Sequence, residues 1–586
     1  MRRTGPIATT NHQREWIVAA PHPRRAELAR QVGIAPLLAQ LLLNRGVNDP
    51  GDVRPFLCPD FRALLPPETL PGATAAAGRL LAAVKDRRRI VIYGDYDVDG
   101  ITATAILWHA LRLCGADVDF YVPSRLEEGY GVNADAVERL AADGARVLVT
   151  VDCGITAVAE ARRAAALGLE VIITDHHEPH AELPTAAVIA HPRVGGGSPN
   201  PDLSGAGVAL KIAWALAQGA CGTTRVTPAF REFLVEATAL AALGLIADVV
   251  PLTGENRIIA SFGLRRLPDT TNPGLRALIG VAKLTNKRSY DDYDVGFLLA
   301  PRLNAIGRMG HARLAVELLT RADAARAAEI AATLDAENRR RQEVERRIMK
   351  QAEALVVERG FHRESCRGIV LANPQWHPGV IGIVASRLVD RFQRPTVLIA
   401  LEAGEGQGSG RSVRHFPLHE VLEACSAQLL SYGGHAMAAG VRLRADQVGA
   451  FTTAFQAEAA RRLTPADLRP KLHLDDEVEL VDLTTEVVET ILKLAPFGTG
   501  NPRPRLATGE VELVEEPRVI GQAGTHLQFT VRQDAAYRKA IAFGQGSRAA
   551  ELAEHRRLRV AFEPILNEWN GQRKVELKVI DWKPAS

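Results

Sequence analysis

Three apolar, strand-like segments in the first third of the chain each lead into acidic or histidine residues. They are residues 90–93, followed by Asp95, Asp97 and Asp99, residues 147–151, followed by Asp152, and residues 171–174, followed by Asp175, His176 and His177. Residues 156–167 are alanine-rich and amphipathic, which predicts a crossover helix between parallel strands. In an open parallel sheet, ligands bind beyond the carboxyl ends of the strands. We therefore expect these polar residues to converge on one sheet edge.

A long helical segment and a second α/β segment follow. Residues 314–359 contain almost no glycine or proline and have apolar residues at helical spacing. This pattern predicts one or two long helices that join two bodies. Residues 368–463 predict a second α/β domain, with strands at 369–372 and 396–400.

Towards the end of the chain the pattern changes to short alternating strands. In residues 526–532 the apolar Leu527, Phe529 and Val531 share one face, and residues 574–579 alternate in the same way. A small all-β barrel of the OB type fits this pattern. The N-terminal seventy or so residues mix short helical patterns with proline-rich breaks. They predict an extension packed on the first α/β domain.

These patterns predict an α/β protein in which a long helix joins two α/β domains, the first with a parallel sheet, and an all-β OB-type barrel follows. No low-complexity linker or internal repeat interrupts this order. The predicted boundaries are 1–74 for the N-terminal extension, 75–313 for the first α/β domain, 314–359 for the connecting helix, 360–463 for the second α/β domain and 464–586 for the barrel.

Composition and charge indicate the cellular compartment but do not identify a binding partner. The net charge of +3 is small, and a basic groove can be hidden inside a balanced total. Six cysteines lie far apart in the sequence, which favours a reducing cytosol and argues against structural zinc. No apolar run reaches the eighteen or so residues of a membrane span, and the N-terminus lacks the apolar core of a signal peptide. We expect a cytoplasmic protein.

The acidic and histidine residues at the predicted sheet edge suggest a metal site. Taken alone, an Asp-x-Asp sequence is usually a turn or a helix N-cap. Here several such groups follow predicted strands, and Asp248 follows a helical apolar run. Carboxylates favour Mg²⁺ and Mn²⁺, and an imidazole favours Mn²⁺. Two such ions about 4 Å apart can activate water and stabilise both oxygens of a phosphoryl displacement.

A different phosphatase chemistry also fits part of this pattern. Residues 97–102 are similar to the Asp-x-Asp-Gly signature of haloacid-dehalogenase-type phosphatases, in which the first aspartate is the nucleophile. That site also needs a later lysine and an acidic pair, whereas the later strands here supply Asp152 and two histidines. The ligand set therefore favours hydrolysis by metal-bound water.

Four of these segments resemble the successive motifs of the DHH phosphoesterase superfamily. They are G-D-Y-D-V-D-G at 94–100, V-D-C-G-I at 151–155, D-H-H at 175–177 and A-D-V-V-P-L at 247–252. Further motifs are similar to those of bacterial exonucleases in that superfamily. They are L-S-G-A-G-V-A at 203–209, R-L-N-A-I-G-R-M at 302–309, W-H-P-G-V-I-G at 376–382, G-S-G-R-S at 408–412 and G-G-H-A at 433–436. The resemblance extends from about residue 75 to the C-terminus.

The resemblance implies a DHH domain, a DHHA1 domain and an exonuclease that degrades single-stranded DNA from the 5′ end to 5′-mononucleotides, in DNA repair and recombination. The implied catalytic residues are Asp97, Asp99, Asp152, His176, His177 and Asp248. The implied ligands of two Mn²⁺ or Mg²⁺ ions are Asp97, Asp99, Asp152, His176 and Asp248, with Asp95 as an additional or outer carboxylate. His177 would face the scissile phosphate.

DNA contacts and partners are also implied by the resemblance. Arg125 and Arg308 match DNA-contacting positions of the first domain, and Ser409, Arg411 and His435 match those of the second. We further expect residues 408–410 to be a loop whose backbone N–H groups approach the 5′-phosphate. The expected partners are single-stranded DNA, single-strand-binding protein and repair helicases, without a membrane, and the expected state is a monomer.

Two other functions fit parts of the sequence. A smaller DHH phosphodiesterase acting on oligoribonucleotides or cyclic dinucleotides shares the first four motifs but does not need the barrel after about residue 465. A non-catalytic single-strand-binding scaffold would not need a complete ligand set. The sequence therefore favours the exonuclease.

Overall fold

The computed structural model divides into two units, which we call the larger unit and the smaller unit. It describes residues 14–124, 128–129, 131–309, 312–522, 524–569 and 571–585. The larger unit consists of Ile17–Leu334 and His473–Ser586, and the smaller unit of Met1–Trp16 and Asp335–Leu472. Arg125, a predicted DNA contact, lies outside the described residues.

The chain begins with short elements separated by prolines. They are β1 (Glu15–Val18), α1 (Arg25–Val32), α2 (Pro36–Leu43) and α3 (Pro50–Leu57), followed by 3-10 turns at Phe61–Ala63 and Pro67–Thr69. Proline is the first residue of both α2 and α3, where its fixed φ suits the helix and its missing N–H has no cost. Among the described residues, no single helix is long and apolar enough to cross a membrane, although α1 and α2 together, as a bent pair, pass the same criteria of length and composition.

A five-stranded parallel sheet forms the centre of the first α/β domain. Its elements are α4 (Ala73–Lys85), β2 (Ile90–Gly94), α5 (Val98–Leu113), β3 (Val118–Tyr121), α6 (Ala134–Ala142), β4 (Val147–Val151), α7 (Val158–Ala166), β5 (Glu170–Thr174) and β6 (Val188–Ala190). The strand order is β3-β2-β4-β5-β6, with every pair parallel. The predicted parallel sheet and its crossover helix are confirmed, and the carboxyl ends of β2, β4 and β5 are neighbours.

Helices complete this domain and lead into the connecting segment. They are α8 (Gly205–Cys221), α9 (Pro228–Ala247), α10 (Gly254–Arg266), α11 (Pro273–Val281), a π-helix (Asp294–Leu299) continuous with α12 (Ala300–Met309), α13 (Arg313–Thr320) and the 35-residue α14 (Ala324–Glu358). Every residue from Ala237 to Leu245 in α9 is buried, which explains the long apolar run there. Helix α14 begins in the larger unit and ends in the smaller one.

The smaller unit contains a mixed five-stranded sheet. Its elements are β7 (Ile369–Asn373), α15 (Pro378–Phe392), β8 (Thr396–Glu402), β9 (Glu405–Arg411), α16 (Leu418–Ala424), β10 (Ser431–Gly434), β11 (Ala438–Arg444) and α17 (Val448–Arg462). The order is β10-β11-β9-β8-β7, in which β7 and β8 are parallel and the other pairs antiparallel. This unit contains the predicted second α/β domain.

The C-terminal elements form the predicted OB-type barrel. They follow β12 (Lys471–Leu474), which pairs with β1 in a separate two-stranded sheet. They are β13 (Asp476–Val478), α18 (Thr485–Leu492), β14 (Leu506–Thr508), β15 (Val511–Leu513), β16 (Arg518–Ile520), β17 (His526–Gln533), β18 (Ala536–Ala542), α19 (Ala549–Ala553), β19 (Arg557–Trp569) and β20 (Gln572–Pro584). Strands β19, β15, β17, β18 and β20 form a closed circuit because β20 pairs with both β18 and β19. Five strands closed in this way are the OB architecture.

The N-terminal extension packs on the barrel as well as on the first α/β domain, which was the expected neighbour of residues 1–74. Leu28, Leu38 and Leu41 belong to the hydrophobic core of the barrel, together with Phe529 and Trp582. Residues from about Phe56 onward contact the parallel-sheet domain, since Phe56 accepts from Arg257 and Phe61 packs on Phe262. Helix α2 is buried from Leu37 to Leu43, so it needs apolar neighbours on more than one side, and the barrel supplies them.

Candidate active site

Acidic and imidazole side chains meet at the carboxyl edge of the parallel sheet. Among the described residues, three groups of side chains could each hold a metal ion. Within each group the ligand atoms lie within 4.8 Å of one another. The groups are Asp95 with Asp97 and Asp152, Asp99 with His176 and Asp248, and Asp152 with His176 and His177. The structure thus brings together all seven residues that the sequence analysis assigned to catalysis or metal binding in the first domain.

The N-terminus of α5 positions the Asp-x-Asp pair. Asp97 is the N-cap, and its Oδ1 accepts hydrogen bonds from the backbone N–H groups of Asp99 (2.9 Å) and Gly100 (3.2 Å). Asp99 is buried and accepts from the first amides of α8, Gly205 (2.6 Å) and Ala206 (3.0 Å). A carboxylate is stabilised at a helix N-terminus, so α8 holds Asp99 in place.

Asp152 is buried directly after β4 and has a left-handed backbone, with φ of 62°. Such a φ is uncommon outside glycine and often marks a functional position. Gly205 lies so close that a Cβ there would be 2.6 Å from Asp152 Oδ1. A Cβ on Gly244 in α9 would likewise be 2.3 Å from Asp99 Oδ1. These glycines allow two helices to approach the carboxylates closely.

The two histidines have different environments. His176 Nε2 lies 3.0 Å from Asp152 Oδ1 and 3.7 Å from both Asp99 Oδ2 and Asp248 Oδ2. Burial and the neighbouring positive charge of His177 lower the pKa of His176 to about 3, so its imidazole is neutral. Although burial opposes it, the hydrogen bond from Nδ1 to Asp175 raises the pKa of His177 to about 9. His177 is therefore cationic near neutral pH.

Asp175 orients this pair, a role that the sequence analysis did not assign. Its Oδ1 accepts from the N–H of His176 (2.7 Å) and from Nδ1 of His177 (2.8 Å), and its Oδ2 accepts from the N–H of Ile155 (2.9 Å). Burial opposes ionisation, but the hydrogen bond and charge of His177 lower the pKa of Asp175 to about 2. The buried His191 also hydrogen bonds the carbonyl of His177 at 2.8 Å. Asp175 lies in the recognised D-H-H motif, but its hydrogen bonds depend on the fold.

Several buried carboxylates lie close together in the site, and their pKa values are raised. Burial and the charge of Asp97 raise the pKa of Asp99 to about 7, and burial with the charges of Asp99 and Asp97 raises that of Asp248 to about 8. The same causes raise the pKa of Asp152 well above its usual value. Like charges this close disfavour ionisation unless a cation is present.

The residues present fit divalent cations. Asp152 Oδ1 and His176 Nε2 are buried and have no hydrogen-bond partner among the described residues, although they lie 3.0 Å apart. Unpaired buried polar atoms are costly, and a bound cation would satisfy both. Several carboxylates with one neutral imidazole are the donors that Mn²⁺ and Mg²⁺ accept.

Helix α12 lies against the Asp-x-Asp loop. Asn304 Oδ1 accepts from the N–H of Val98 at 3.2 Å, at the start of α5. A Cβ on Gly307 would be 2.7 Å from the carbonyl of Tyr96. Arg308 is in the last turn of this helix, next to that contact. Asn304 is a further residue that the sequence analysis left without a role.

The predicted DNA contacts of the second domain lie in the smaller unit. Arg411 Nη1 donates to Ser409 Oγ at 3.1 Å, and a Cβ on Gly382 in α15 would be 2.8 Å from that hydroxyl. Both side chains therefore face the N-terminal half of α15. His435 directly follows β10, and its N–H donates to the carbonyl of Ala438 at 2.8 Å.

One expectation for the second domain is wrong. Residues 408–410 are not a loop but part of β9, which pairs with β8 on one side and β11 on the other, so the sheet uses their backbone groups. Any phosphate recognition there depends on side chains. Trp376, the first residue of the W-H-P-G-V-I-G motif, is buried, and its Nε1 donates to Gln351 Oε1 at 3.0 Å.

Comparisons with known proteins place the chain in a family. The model of the DHH family, N-terminal domain, matches residues 89–242, that of the DHHA1 domain 366–461 and that of the RecJ OB domain 474–581. The "Single-stranded-DNA-specific exonuclease RecJ" of Bacillus subtilis (strain 168) is 39% identical over 570 residues, 97% of this chain and 70% of that protein. The protein of the same name from Escherichia coli (strain K12) is 34% identical, covering 94% and 96%.

The chain belongs to the RecJ family. A solved RecJ structure from Thermus thermophilus, in complex with Mn²⁺, matches with a TM-score of 0.83 and 33% identity, covering 98% of this chain and 80% of that one. Membership of the RecJ family confirms the resemblance to the DHH superfamily. It also confirms the predicted fold class, two α/β domains followed by an OB-type barrel.

Proposed function

We infer that this chain is a metal-dependent exonuclease that degrades single-stranded DNA from the 5′ end to 5′-mononucleotides, in DNA repair and recombination. The carboxylate and imidazole edge of the parallel sheet is the observation that carries this inference. Relatives that match almost the whole chain are named single-stranded-DNA-specific exonucleases. Related RecJ structures contain Mn²⁺ or Mg²⁺, so these ions are the cofactors we assign.

Metal binding requires Asp95, Asp97, Asp99, Asp152, His176 and Asp248. Asp152 and His176 each belong to two of the three ligand groups. A carboxylate has two oxygens, whereas His176 offers one ring nitrogen, so Asp152 is the residue that two ions would share. In such a site the ions lower the pKa of water and stabilise negative charge on the phosphate oxygens. The surrounding helices contribute by holding the carboxylates before any ion binds.

His177 holds a proton beside the scissile phosphate. Its Nδ1 hydrogen bonds Asp175, so a metal contact through that atom would compete with this bond. A cationic imidazole at this position can neutralise charge on the phosphate or protonate the leaving oxygen. We therefore assign His177 to catalysis and not to metal binding.

Replacing His177 and His176 separately should distinguish these roles. His177→Ala should lower kcat by roughly 10²- to 10³-fold and change the Mn²⁺ affinity by less than about threefold, because general acid–base groups act on the chemical step. His176→Ala should weaken Mn²⁺ binding by at least about tenfold, because it removes a ligand. Mn²⁺ titration and steady-state kinetics measure both. Equal loss of Mn²⁺ affinity in the two variants would contradict the assignment.

Ser409, Arg411 and His435 are proposed to bind the 5′ end of the strand. A guanidinium beside a hydroxyl provides the fork of donors that a terminal phosphate requires. Arg411→Ala should lower kcat/KM for a 5′-phosphorylated oligonucleotide by roughly 10- to 100-fold and abolish its advantage over the 5′-hydroxyl form. Arg442→Ala, at an exposed position on β11 of the same sheet, is the control and should change neither value. A preserved preference for 5′-phosphate in Arg411→Ala would contradict this role.

An exposed aromatic pair is proposed as a base-stacking platform. Tyr293 and Phe297 are 53% and 67% exposed, and their rings stack at 4.9 Å. They lie on the same continuous helix as Asn304 and Arg308, which reaches the Asp-x-Asp loop. Stacking on single-stranded bases contributes roughly 1–3 kcal/mol per base and is tolerant of sequence.

Phe297→Ala should therefore raise KM for single-stranded DNA by roughly 5- to 30-fold and leave kcat nearly unchanged. Leu113→Ala removes an exposed apolar side chain at the C-terminal end of α5 and is the matched control. An unchanged KM in Phe297→Ala, measured with an oligonucleotide of about ten or more bases, would exclude the platform.

Partners and location extend the inference from the family. Single-stranded DNA is the substrate of the named relatives. We propose that this protein is a cytoplasmic monomer that acts beside single-strand-binding protein and repair helicases. Light scattering of the purified protein tests the monomer, since a dimer would double its mass of 63.3 kDa.

Digestion of a 5′-labelled single strand with Mn²⁺, beside its duplex and a 3′-labelled copy, tests the function. Immediate release of labelled mononucleotide from the 5′-labelled single strand is the expected result, with the duplex resistant. Turnover of only oligoribonucleotides or cyclic dinucleotides would instead identify a small-substrate DHH phosphodiesterase. Binding without cleavage would identify a scaffold.

A further inference from the structure

A loop at the start of the C-terminal domain lies against the segment that contains Asp248. We call residues 493–503 the bracing loop. Leu252 lies four residues after Asp248, and its N–H donates to the carbonyl of Thr499 at 2.8 Å. Leu252 is buried, and a Cβ on Gly498 would be 2.8 Å from its side chain. The bracing loop therefore contacts Leu252 through both backbone and side chain.

The bracing loop is itself firmly held. The fully buried Asn501 donates through Nδ2 to the carbonyls of Leu494 (2.7 Å) and Pro496 (2.8 Å). Its Oδ1 accepts from Nε of Arg45 at 2.9 Å. One side chain thus closes the bracing loop and ties it to the N-terminal extension.

Arg257 attaches the same loop to α10 of the parallel-sheet domain. Its buried guanidinium donates to the carbonyls of Lys493 (3.2 Å), Ala495 (2.8 Å) and Pro496 (3.3 Å). A further bond reaches the carbonyl of Phe56 at 2.8 Å. Since α10 follows Leu252 almost directly, these bonds and the bond from Leu252 fix the chain on the C-terminal side of Asp248, and the end of α9 holds its N-terminal side.

The turn between the end of α9 and Leu252 needs such support. Val249, next to Asp248, has φ of 62° and is 65% exposed. A β-branched residue in this conformation is strained, and such strain persists only where the surroundings determine the backbone. Within this segment the carbonyl of Pro251 also accepts from Asn256 Nδ2 at 3.0 Å. The backbone turn that directs Asp248 towards His176 is thus held by contacts with the bracing loop and with α10.

We propose that the bracing loop positions Asp248 for metal binding, so that the C-terminal domain contributes to the metal centre. Asn501, Gly500 and Arg257 are then positioning residues. They touch neither the ions nor the substrate. The proposal rests on the metal site assigned above, but not on the identity of the substrate.

Variants of the bracing loop test this proposal in the full chain without DNA. Asn501→Ala removes three hydrogen bonds, two of them to carbonyls of the bracing loop, and Gly500→Val places a branched side chain at φ of 74°, 3.2 Å from Thr253. Both should weaken Mn²⁺ binding by roughly tenfold, measured by electron paramagnetic resonance of free Mn²⁺. Thr508→Val is the control, because Thr508 is equally buried in the same domain and bonds the barrel strand at Val560. It should bind Mn²⁺ like the unaltered protein.

Kinetics provide a readout that general destabilisation would not produce. At limiting Mn²⁺, Asn501→Ala should show kcat reduced by about tenfold, with KM for single-stranded DNA within about threefold of the unaltered value. Saturating Mn²⁺ should restore most of kcat. Hydrogen exchange at the Leu252 amide should be faster in both variants, because that amide donates to the bracing loop.

Unaltered Mn²⁺ affinity in a variant whose Leu252 amide exchanges faster would overturn the proposal. If Asn501→Ala does not fold, as judged by circular dichroism, Gly500→Ala provides the same comparison with a smaller change. If the unaltered protein binds Mn²⁺ but does not degrade single-stranded DNA, the proposed function fails. The Mn²⁺ affinities of the variants would still decide whether the bracing loop positions Asp248.

Discussion

Replacing Asp152 with alanine should reduce exonuclease activity on single-stranded DNA by at least about 10³-fold. Asp152 belongs to two of the three ligand groups, and its Oδ1 lies 3.0 Å from His176 Nε2. The change therefore removes a carboxylate from two of the three ligand groups, and activation of water by metal accounts for several kcal/mol of such catalysis. Release of mononucleotide from a labelled strand under single-turnover conditions measures the effect.

A loss of exonuclease activity caused by misfolding must be distinguished from one caused by loss of metal binding. Asp152 is buried among like charges, so its removal from the metal-free protein should not lower the thermal midpoint. Asp143→Ala, at an exposed position after α6, is the control and should retain full activity. Activity within tenfold of the unaltered protein in Asp152→Ala would contradict the assigned metal site.

Mn²⁺ should stabilise this protein far more at pH 8 than at pH 6. The pKa values of Asp99 and Asp248 are raised to about 7 and about 8 in the folded protein. A carboxyl with a raised folded pKa stabilises the fold at low pH, and this contribution is lost as pH rises through the folded pKa. The metal-free protein should therefore lose stability between roughly pH 4 and pH 8. Mn²⁺ binds the ionised carboxylates and reverses that loss.

We expect 1 mM Mn²⁺ to raise the midpoint of thermal unfolding by roughly 5–10 °C at pH 8 and by less than half of that at pH 6. Differential scanning fluorimetry over this pH range measures both values. Asp248→Asn removes one of the titrating groups, so its metal-free form should be more stable than the unaltered protein at pH 8. Equal Mn²⁺ effects at both pH values would show that these carboxyls do not titrate in this range.

The parallel sheet and the members of the metal edge could be predicted because the signals are local. Each of β2, β4 and β5 is an apolar segment followed by polar residues, and the topology rule for parallel sheets places those residues together. The barrel could be predicted in the same way, because apolar and polar residues alternate along β17. Short-range periodicity was sufficient for both.

Other features depend on contacts between distant parts of the chain. Gly205 appears in sequence as one residue of a small-residue motif, and only the fold shows that it makes room for Asp152. Asp175 is distinguished from a metal ligand only by its hydrogen bonds to the backbone and to His177. The glycines at 408 and 410 suggested a loop, but within β9 they give space to Val441 and Leu418. Residue type alone does not separate these alternatives.

The shared core of the N-terminal helices and the barrel constrains how the protein folds during synthesis. Leu38 and Leu41 pack with residues such as Phe562 and Trp582, which are translated more than 500 residues later. At a synthesis rate of 5–20 residues per second, helix α2 stays uncovered for roughly 25–100 s before the barrel strands that pack on it are translated. Contacts so distant in sequence form slowly, and exposed apolar surface favours aggregation in the meantime. The nascent chain should therefore depend on chaperones until its last strands leave the ribosome.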